Sequence, residues 1–170
     1  MRKLTPVTPL RVAEFETQPF RIAGTAKLDA DPIAVFAELG DPSLFFPLMR
    51  RSVWKTGATS GVGAVREIDH RIFGRARERM LVWEPGESIA FTMTDMTSPF
   101  VAQMGELWTL RREDIYTQVE WDVVGTLTPL GRVAKPILRR TLSVLFSRAV
   151  ANIGKRAGSY KGETRGKQVS

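Results

Sequence analysis

A run of alternating segments followed by one long amphipathic stretch constrains the fold of this chain more than any other feature. Period-two alternation of apolar and polar residues predicts strands, and turn residues between them predict hairpins. Six such strands are predicted, at 51–57, 63–73, 75–84, 88–96, 101–111 and 116–127. The breaks between them are Gly61/Gly63, Gly74, Pro85-Gly86 and Ser98-Pro99. An antiparallel sheet is the expected result.

The amphipathic stretch at 131–160 predicts one long helix. Its apolar stripe, expected to pack on the sheet, is Val133, Ile137, Leu138, Thr141, Leu142, Leu145, Ala149 and Ile153. The opposite, polar stripe is Arg132, Arg139, Ser143 and Ser147. A sheet with one apolar face and a helix with one apolar stripe bury both by packing together.

Before these segments, residues 20–29 predict one more strand. Asp31-Pro32 forms a helix cap with proline in the first turn, and predicts a helix over 33–39. The segment PSLFFPLM at 42–49 is too apolar for a surface loop and predicts a second short helix.

These elements favour an α+β fold. A curved six- to seven-stranded antiparallel sheet wraps around the long C-terminal helix, and two short helices follow the first strand. We expect an extended N-terminal lead-in over 1–19, a single domain over 20–160 and a basic flexible tail over 161–170.

Several segments of the chain carry a resemblance to a known superfamily. They are LDADPIAVFAELGDPSLFFPLM, GVGAVRE, ERMLVWEPGESIAFTM, GELWTL and YTQVEWDV, followed by the long final helix. In order and spacing they resemble the START-like (SRPBCC, helix-grip) superfamily, specifically its polyketide cyclase/dehydrase and lipid-transport branch, over about residues 20–157. The resemblance implies a helix-grip fold with a hydrophobic ligand cavity between the sheet and the C-terminal helix.

Composition excludes several kinds of chemistry. The chain has no cysteine and one histidine, His70. Disulfides, thiolate metal sites and cysteine nucleophiles are therefore excluded, and a zinc site of the usual His- or Cys-rich kind cannot be assembled from one chain. We predict no metal and no cofactor.

The net charge of +7 is concentrated near the C-terminus. Residues 130–170 contain ten Lys or Arg and one acidic residue, Glu163. A solvated helix face with a basic tail is one interpretation, and weak contact with an anionic membrane is another. No aromatic residue is interleaved with the charges, so we predict no specific nucleic-acid site.

The start of the chain lacks the apolar core of a signal peptide, and no segment is long and apolar enough to span a membrane. We expect a cytoplasmic protein, peripheral at the membrane if the basic segment makes contact. A monomer and a homodimer are both compatible with the sequence.

Three polar residues share apolar strand faces and are the candidates for catalysis: Arg66, His70 and Glu106. A buried charge is costly unless paired, so an internal salt bridge, a position at the cavity edge and a ligand contact are all compatible with this pattern. We expect Glu106 to face inward and to pair with an arginine or with His70.

The ligand-binding candidates are mainly aromatic residues and methionines on successive strands, which suit an adaptable apolar pocket as well as a plain core. They are Phe46, Trp54, Phe91, Met93, Met104, Trp108, Trp121, Leu138 and Leu142. Arg79 is added because polar residues on this strand help to hold substrate in the polyketide aromatase/cyclases that the chain resembles. Periodicity leaves open which face of the 75–84 strand is inward.

The leading hypothesis is a protein that binds an apolar or aromatic small molecule, such as a lipid, a quinone or a polyketide-like compound. The alternative is a polyketide cyclase/aromatase-type enzyme, in which the inward polar residues transfer protons and polarise a carbonyl.

Overall fold

The structure is a computed structural model that describes residues 3–55 and 60–166. Its strands are β1 (Thr5–Pro6), β2 (Phe20–Leu28), β3 (Met49–Trp54), β4 (Val65–His70), β5 (Gly74–Glu84), β6 (Ser88–Met96), β7 (Val101–Glu113) and β8 (Tyr116–Leu127). Its α-helices are α1 (Pro32–Leu39), α2 (Pro129–Val133) and α3 (Lys135–Gly166). All the predicted strands are present, although positions 56 and 57 of the 51–57 prediction lie outside the described residues.

The strands form one antiparallel sheet in the order β2-β8-β7-β6-β5-β4-β3, and β1 pairs with β6. The two edge strands, β2 and β3, are therefore neighbours in the chain but lie at opposite sides of the sheet. The inner face of the sheet packs against α1 and α3. On the outer face, Leu10 and Phe15 of the N-terminal segment cover Ala90 and Val124.

Helix α1 forms as its sequence predicts. The Asp31 side chain accepts a hydrogen bond from the Ile33 amide at 2.8 Å, and Pro32 occupies the first turn.

The second short helix predicted at 42–49 is wrong, because residues 42–48 form successive turns that lead into β3. The Asp41 side chain accepts hydrogen bonds from the Ser43 amide and hydroxyl, and Pro47 has no amide to donate. Leu48 has a φ of 64°, which ends the turns.

The C-terminal helix is divided in two. Helix α2 ends at Val133, and α3 begins at Lys135 with Pro136 in its first turn. The part of the apolar stripe that is buried begins at Leu138. Val133 and Ile137, predicted to pack inward, are 82% and 72% exposed, whereas Leu138, Leu142 and the later members are buried or half-buried.

Helix α3 continues to Gly166, so it includes the first part of the 161–170 segment expected as a tail. Positions 167–170 of that prediction lie outside the described residues. In the described part of the chain, no helix is both long enough and apolar enough to cross a membrane.

Candidate functional site

A pocket lies between the inner face of the sheet and the first half of α3. It extends from the chain segments around Gly74 and Ser98, here called its loop end, to Arg66 near the start of β4 and Glu106 in the middle of β7. The cavity volume is about 100 Å³.

The wall of the pocket is mainly apolar. Seven of the sequence-predicted ligand residues line it: Phe46, Phe91, Met93, Met104, Trp108, Leu138 and Leu142. Sequence reasoning missed further apolar lining residues, among them Phe45, Ile68, Phe73, Ile89 and Phe146. Phe146 stacks on Trp108 with ring centroids 5.8 Å apart. Its place in the same helical stripe as Leu142 was the available signal.

Arg66 is 2% exposed and is held by hydrogen bonds from two sides. Its Nε donates to Glu78 Oε2 of β5 at 2.7 Å, and its Nη1 donates to the Leu39 and Gly40 carbonyls at the C-terminal end of α1 at 3.2 and 3.0 Å. Its guanidinium carbon lies 5.4 Å from the Trp54 ring centroid and 5.3 Å from that of Phe91. Trp54 therefore packs against the cation and against Trp83, away from the pocket lining.

The partner of Arg66 is Glu78, so the expected ion pair between Glu106 and an arginine or His70 is wrong for the described residues. In the β4–β5 hairpin, Arg66 lies directly opposite Glu78. A hairpin register centred on the turn at residues 71–73 was the sequence signal for this pair.

The same register corrects the assignment of Arg79. Ala76, Glu78 and Met80 face inward, so Arg79 is exposed on the outer face and does not line the pocket. The remaining candidate, Trp121, is buried beside Trp108 and over Gly24, also outside the pocket lining.

Glu106 faces inward and lines the pocket. Burial, together with the nearby charge of Glu78, raises the pKa of this carboxyl to about 8, although a hydrogen bond with Trp108 and the charge of Arg66 act in the opposite direction. Burial also raises the pKa of Glu78, against the pull of Arg66. A protonated carboxyl donates a hydrogen bond, so Glu106 presents a donor inside an apolar pocket near neutral pH.

His70 is buried at the loop end of the pocket, and both of its ring nitrogens are engaged. Nε2 lies 2.9 Å from the Pro47 carbonyl, while Nδ1 accepts from the Ile72 and Phe73 amides at 3.2 and 3.3 Å. These partners place the proton on Nε2. Burial lowers the pKa of His70, in opposition to the Pro47 hydrogen bond and the charge of Asp69.

Arg66, His70 and Glu106 therefore all line one pocket, as their strand faces predicted. The three side chains differ in what they already contact. Arg66 is paired with Glu78, and His70 links the segment at Pro47 to the turn after β4 by hydrogen bonds. Glu106 is the group whose carboxyl remains available to a ligand.

Comparison with known proteins supports the fold. The di-domain ARO/CYC StfQ from the steffimycin biosynthetic pathway matches with a TM-score of 0.72 and 13% identity, over 88% of this chain and 55% of that one. The di-domain ARO/CYC BexL matches with a TM-score of 0.69 and 17% identity, over 85% and 53%. The chain thus spans about half the length of these proteins.

Major latex-like protein 151 from Panax ginseng matches with a TM-score of 0.62 and 12% identity, over 81% of this chain and 97% of that one. The chain shares the helix-grip fold of these ARO/CYC and major latex-like proteins. No family model matches the chain, and no curated protein matches it by sequence.

Proposed function

We propose that this protein binds a neutral apolar or aromatic small molecule in the pocket between sheet and helix. One observation carries the proposal: an apolar pocket reaches a single available carboxyl, Glu106, beside an arginine that already has its counter-ion. Such a site has the apolar wall and the few convergent polar groups of a small-molecule site.

The polar groups favour a neutral ligand. Arg66 is satisfied by Glu78 and two carbonyls, so an incoming carboxylate would have to displace an existing ion pair. The protonated Glu106 can instead donate to a carbonyl or hydroxyl oxygen. Lipids, quinones and polyketide-like compounds all have an apolar body with such an oxygen. The ARO/CYC structural neighbours are polyketide cyclases.

The test compares 1-tetralone with tetralin, which has the same bicyclic frame without the carbonyl. Calorimetry or quenching of tryptophan fluorescence measures both dissociation constants. We expect 1-tetralone to bind about tenfold more tightly, as a hydrogen bond of roughly 1.5 kcal/mol implies.

Glu106→Leu should remove this preference, while the control Glu87→Gln, at an exposed position, should keep it. Saturable binding of neither compound to the wild-type protein would contradict the proposal.

The second candidate function is a cyclase/aromatase-type enzyme, and the raised pKa of Glu106 favours it. A carboxyl that titrates near neutral pH can give and take a proton at a bound ketone, with the positive charge of Arg66 nearby. The proton at carbon 2 of 1-tetralone then exchanges with solvent deuterium through the enol. Exchange that the wild-type protein accelerates and Glu106→Gln does not, followed by NMR, would establish this chemistry. If the bound ketone exchanges no faster than it does in buffer, the protein binds the ketone without catalysing this reaction.

A further inference from the structure

Three apolar side chains at the junction of α2 and α3 are largely exposed. Leu130 is 53% exposed, Val133 82% and Ile137 72%. They precede the packed part of the apolar stripe on α3, which begins at Leu138. Clustered apolar residues on one exposed helical surface are typical of an interaction site, whereas a single exposed residue needs no explanation.

Basic residues are interleaved with these three. Arg132 and Arg140 are exposed, and neither of them forms an ion pair with a described residue. The sequence contains no acidic residue between Asp122 and Glu163. The helical surface is therefore apolar and positively charged at once.

This surface adjoins the pocket. Leu138, the neighbour of Ile137, lines the pocket from α3. Across the loop end, the turn that supplies Phe73 and Gly74 to the lining also exposes Ile72, at 54%. An apolar molecule that enters at the loop end would pass beside these exposed apolar residues.

We propose that this surface, defined as Leu130, Val133 and Ile137 with Arg132 and Arg140, docks on an anionic lipid bilayer. The apolar side chains enter the headgroup region, and the guanidinium groups contact lipid phosphates and carboxylates. Basic residues beside partly inserted apolar residues match the two components of an anionic interface.

Two other occupants fit less well. A symmetric contact with a second copy would bring two arginine-rich surfaces together, and like charges oppose it. The arginines would attract nucleic acid, but the exposed aliphatic side chains would make no favourable contact with it. No aromatic side chain is present on this surface to stack on bases.

Docking here gives the proposed ligand a source, because the loop end of the pocket then faces the bilayer in which apolar molecules dissolve. That use rests on the proposed function; the docking itself does not. The two are therefore tested by separate measurements, vesicle binding and 1-tetralone binding.

The experiment is co-sedimentation of the full chain with vesicles of phosphatidylcholine alone or mixed with phosphatidylserine. We expect binding to the mixed vesicles at about 0.1 M salt, and its loss at about 1 M salt, where the screening length falls from about 10 Å to about 3 Å. Vesicles of phosphatidylcholine alone should leave the protein in the supernatant.

Two variants, each with a control, distinguish docking through this surface from nonspecific electrostatic or hydrophobic adsorption. Val133→Ser/Ile137→Ser should weaken binding by about tenfold or more, whereas Ile115→Ser should not. Ile115 is 65% exposed in the β7–β8 turn, at the end of these strands remote from the pocket. Arg140→Glu should weaken binding more than Arg111→Glu, which makes the same charge change near that remote turn.

Equal effects of each variant and its control would overturn the proposal. So would a dimer that dissociates in the double serine variant, or binding of duplex DNA in preference to mixed vesicles. Absent vesicle binding by a protein that still binds 1-tetralone overturns docking alone. Vesicle binding without 1-tetralone binding overturns the proposed function alone.

Discussion

At Arg66, a buried charge depends on one carboxylate. Glu78→Gln would leave the guanidinium 2% exposed with its counter-ion gone, so we expect the free energy of unfolding to fall by about 3–5 kcal/mol. Urea denaturation measures the change. The matched control is Glu67→Gln, which removes the partly exposed pairs with Arg77 and Lys55 and should cost at most about 1 kcal/mol. Equal costs would show that Arg66 does not depend on Glu78.

Gly24 lies opposite Trp121 in the β2–β8 pairing, and a Cβ added to it would be 2.1 Å from Trp121 Cζ2. Gly24→Ala should therefore destabilise the protein by about 1–3 kcal/mol through overpacking. In Gly24→Ala/Trp121→Phe, the smaller ring gives the methyl group room, so the two costs should not add. Strictly additive costs in urea denaturation would contradict this contact.

The sequence alone assigns a strand residue to the inner or outer face of the sheet only where one face of its strand is apolar and the other is not. In β4, the alternation placed Arg66 and His70 inward correctly. In β5, both faces carry charges, so Glu78 and Arg79 could not be distinguished by period alone. Hairpin register decides the question, and register depends on which residues occupy the turn.

At the scale of elements, His70 fastens the β4–β5 turn to the segment before β3. His70→Leu should lower the hydrogen-exchange protection of the Ile72 and Phe73 amides by at least about tenfold, because each loses its acceptor on Nδ1. Amides in the middle of β7 and β8 should keep their protection. Asp69→Asn, on the opposite strand face, is the control. Unchanged protection at both amides in His70→Leu would show that the turn does not depend on hydrogen bonds to His70.

Elements with regular periods were predictable, and interrupted ones were not. The strands follow from alternation and turn residues, and α1 follows from its Asp31-Pro32 start. Residues 42–48 are apolar without being helical, because Pro47 and local side-chain hydrogen bonds favour turns. In the C-terminal helix, Ile137 lies about 100° around α3 from Leu138, and of the two only Leu138 is buried.

At the scale of the whole molecule, Glu106 makes stability depend on pH. Its pKa is about 8 in the folded protein, whereas an unfolded glutamate titrates near about 4.3. The folded state thus keeps a proton that the unfolded chain releases, and stability falls as pH rises between these values.

The clearest window is pH 6.5–8. His70, whose pKa burial lowers, affects stability below about 6.5, where a falling pH destabilises the protein. In urea denaturation, Glu106→Gln should flatten the decline between pH 6.5 and 8, and Glu87→Gln should not. A wild-type protein that gains stability across this window would contradict a protonated Glu106.

The pairing of β2 with β8 has a consequence for synthesis. Phe20 lies opposite Gly125, so β2, the first long strand to be synthesised, can pair only after β8, the last strand, has been synthesised. At about 5–20 residues per second, that interval is roughly 5–20 s. Until then, the apolar side of β2 has no partner, and the closing step joins residues far apart in the chain, which slows folding. A nascent chain arrested before residue 116 would therefore expose β2 as a substrate for chaperones.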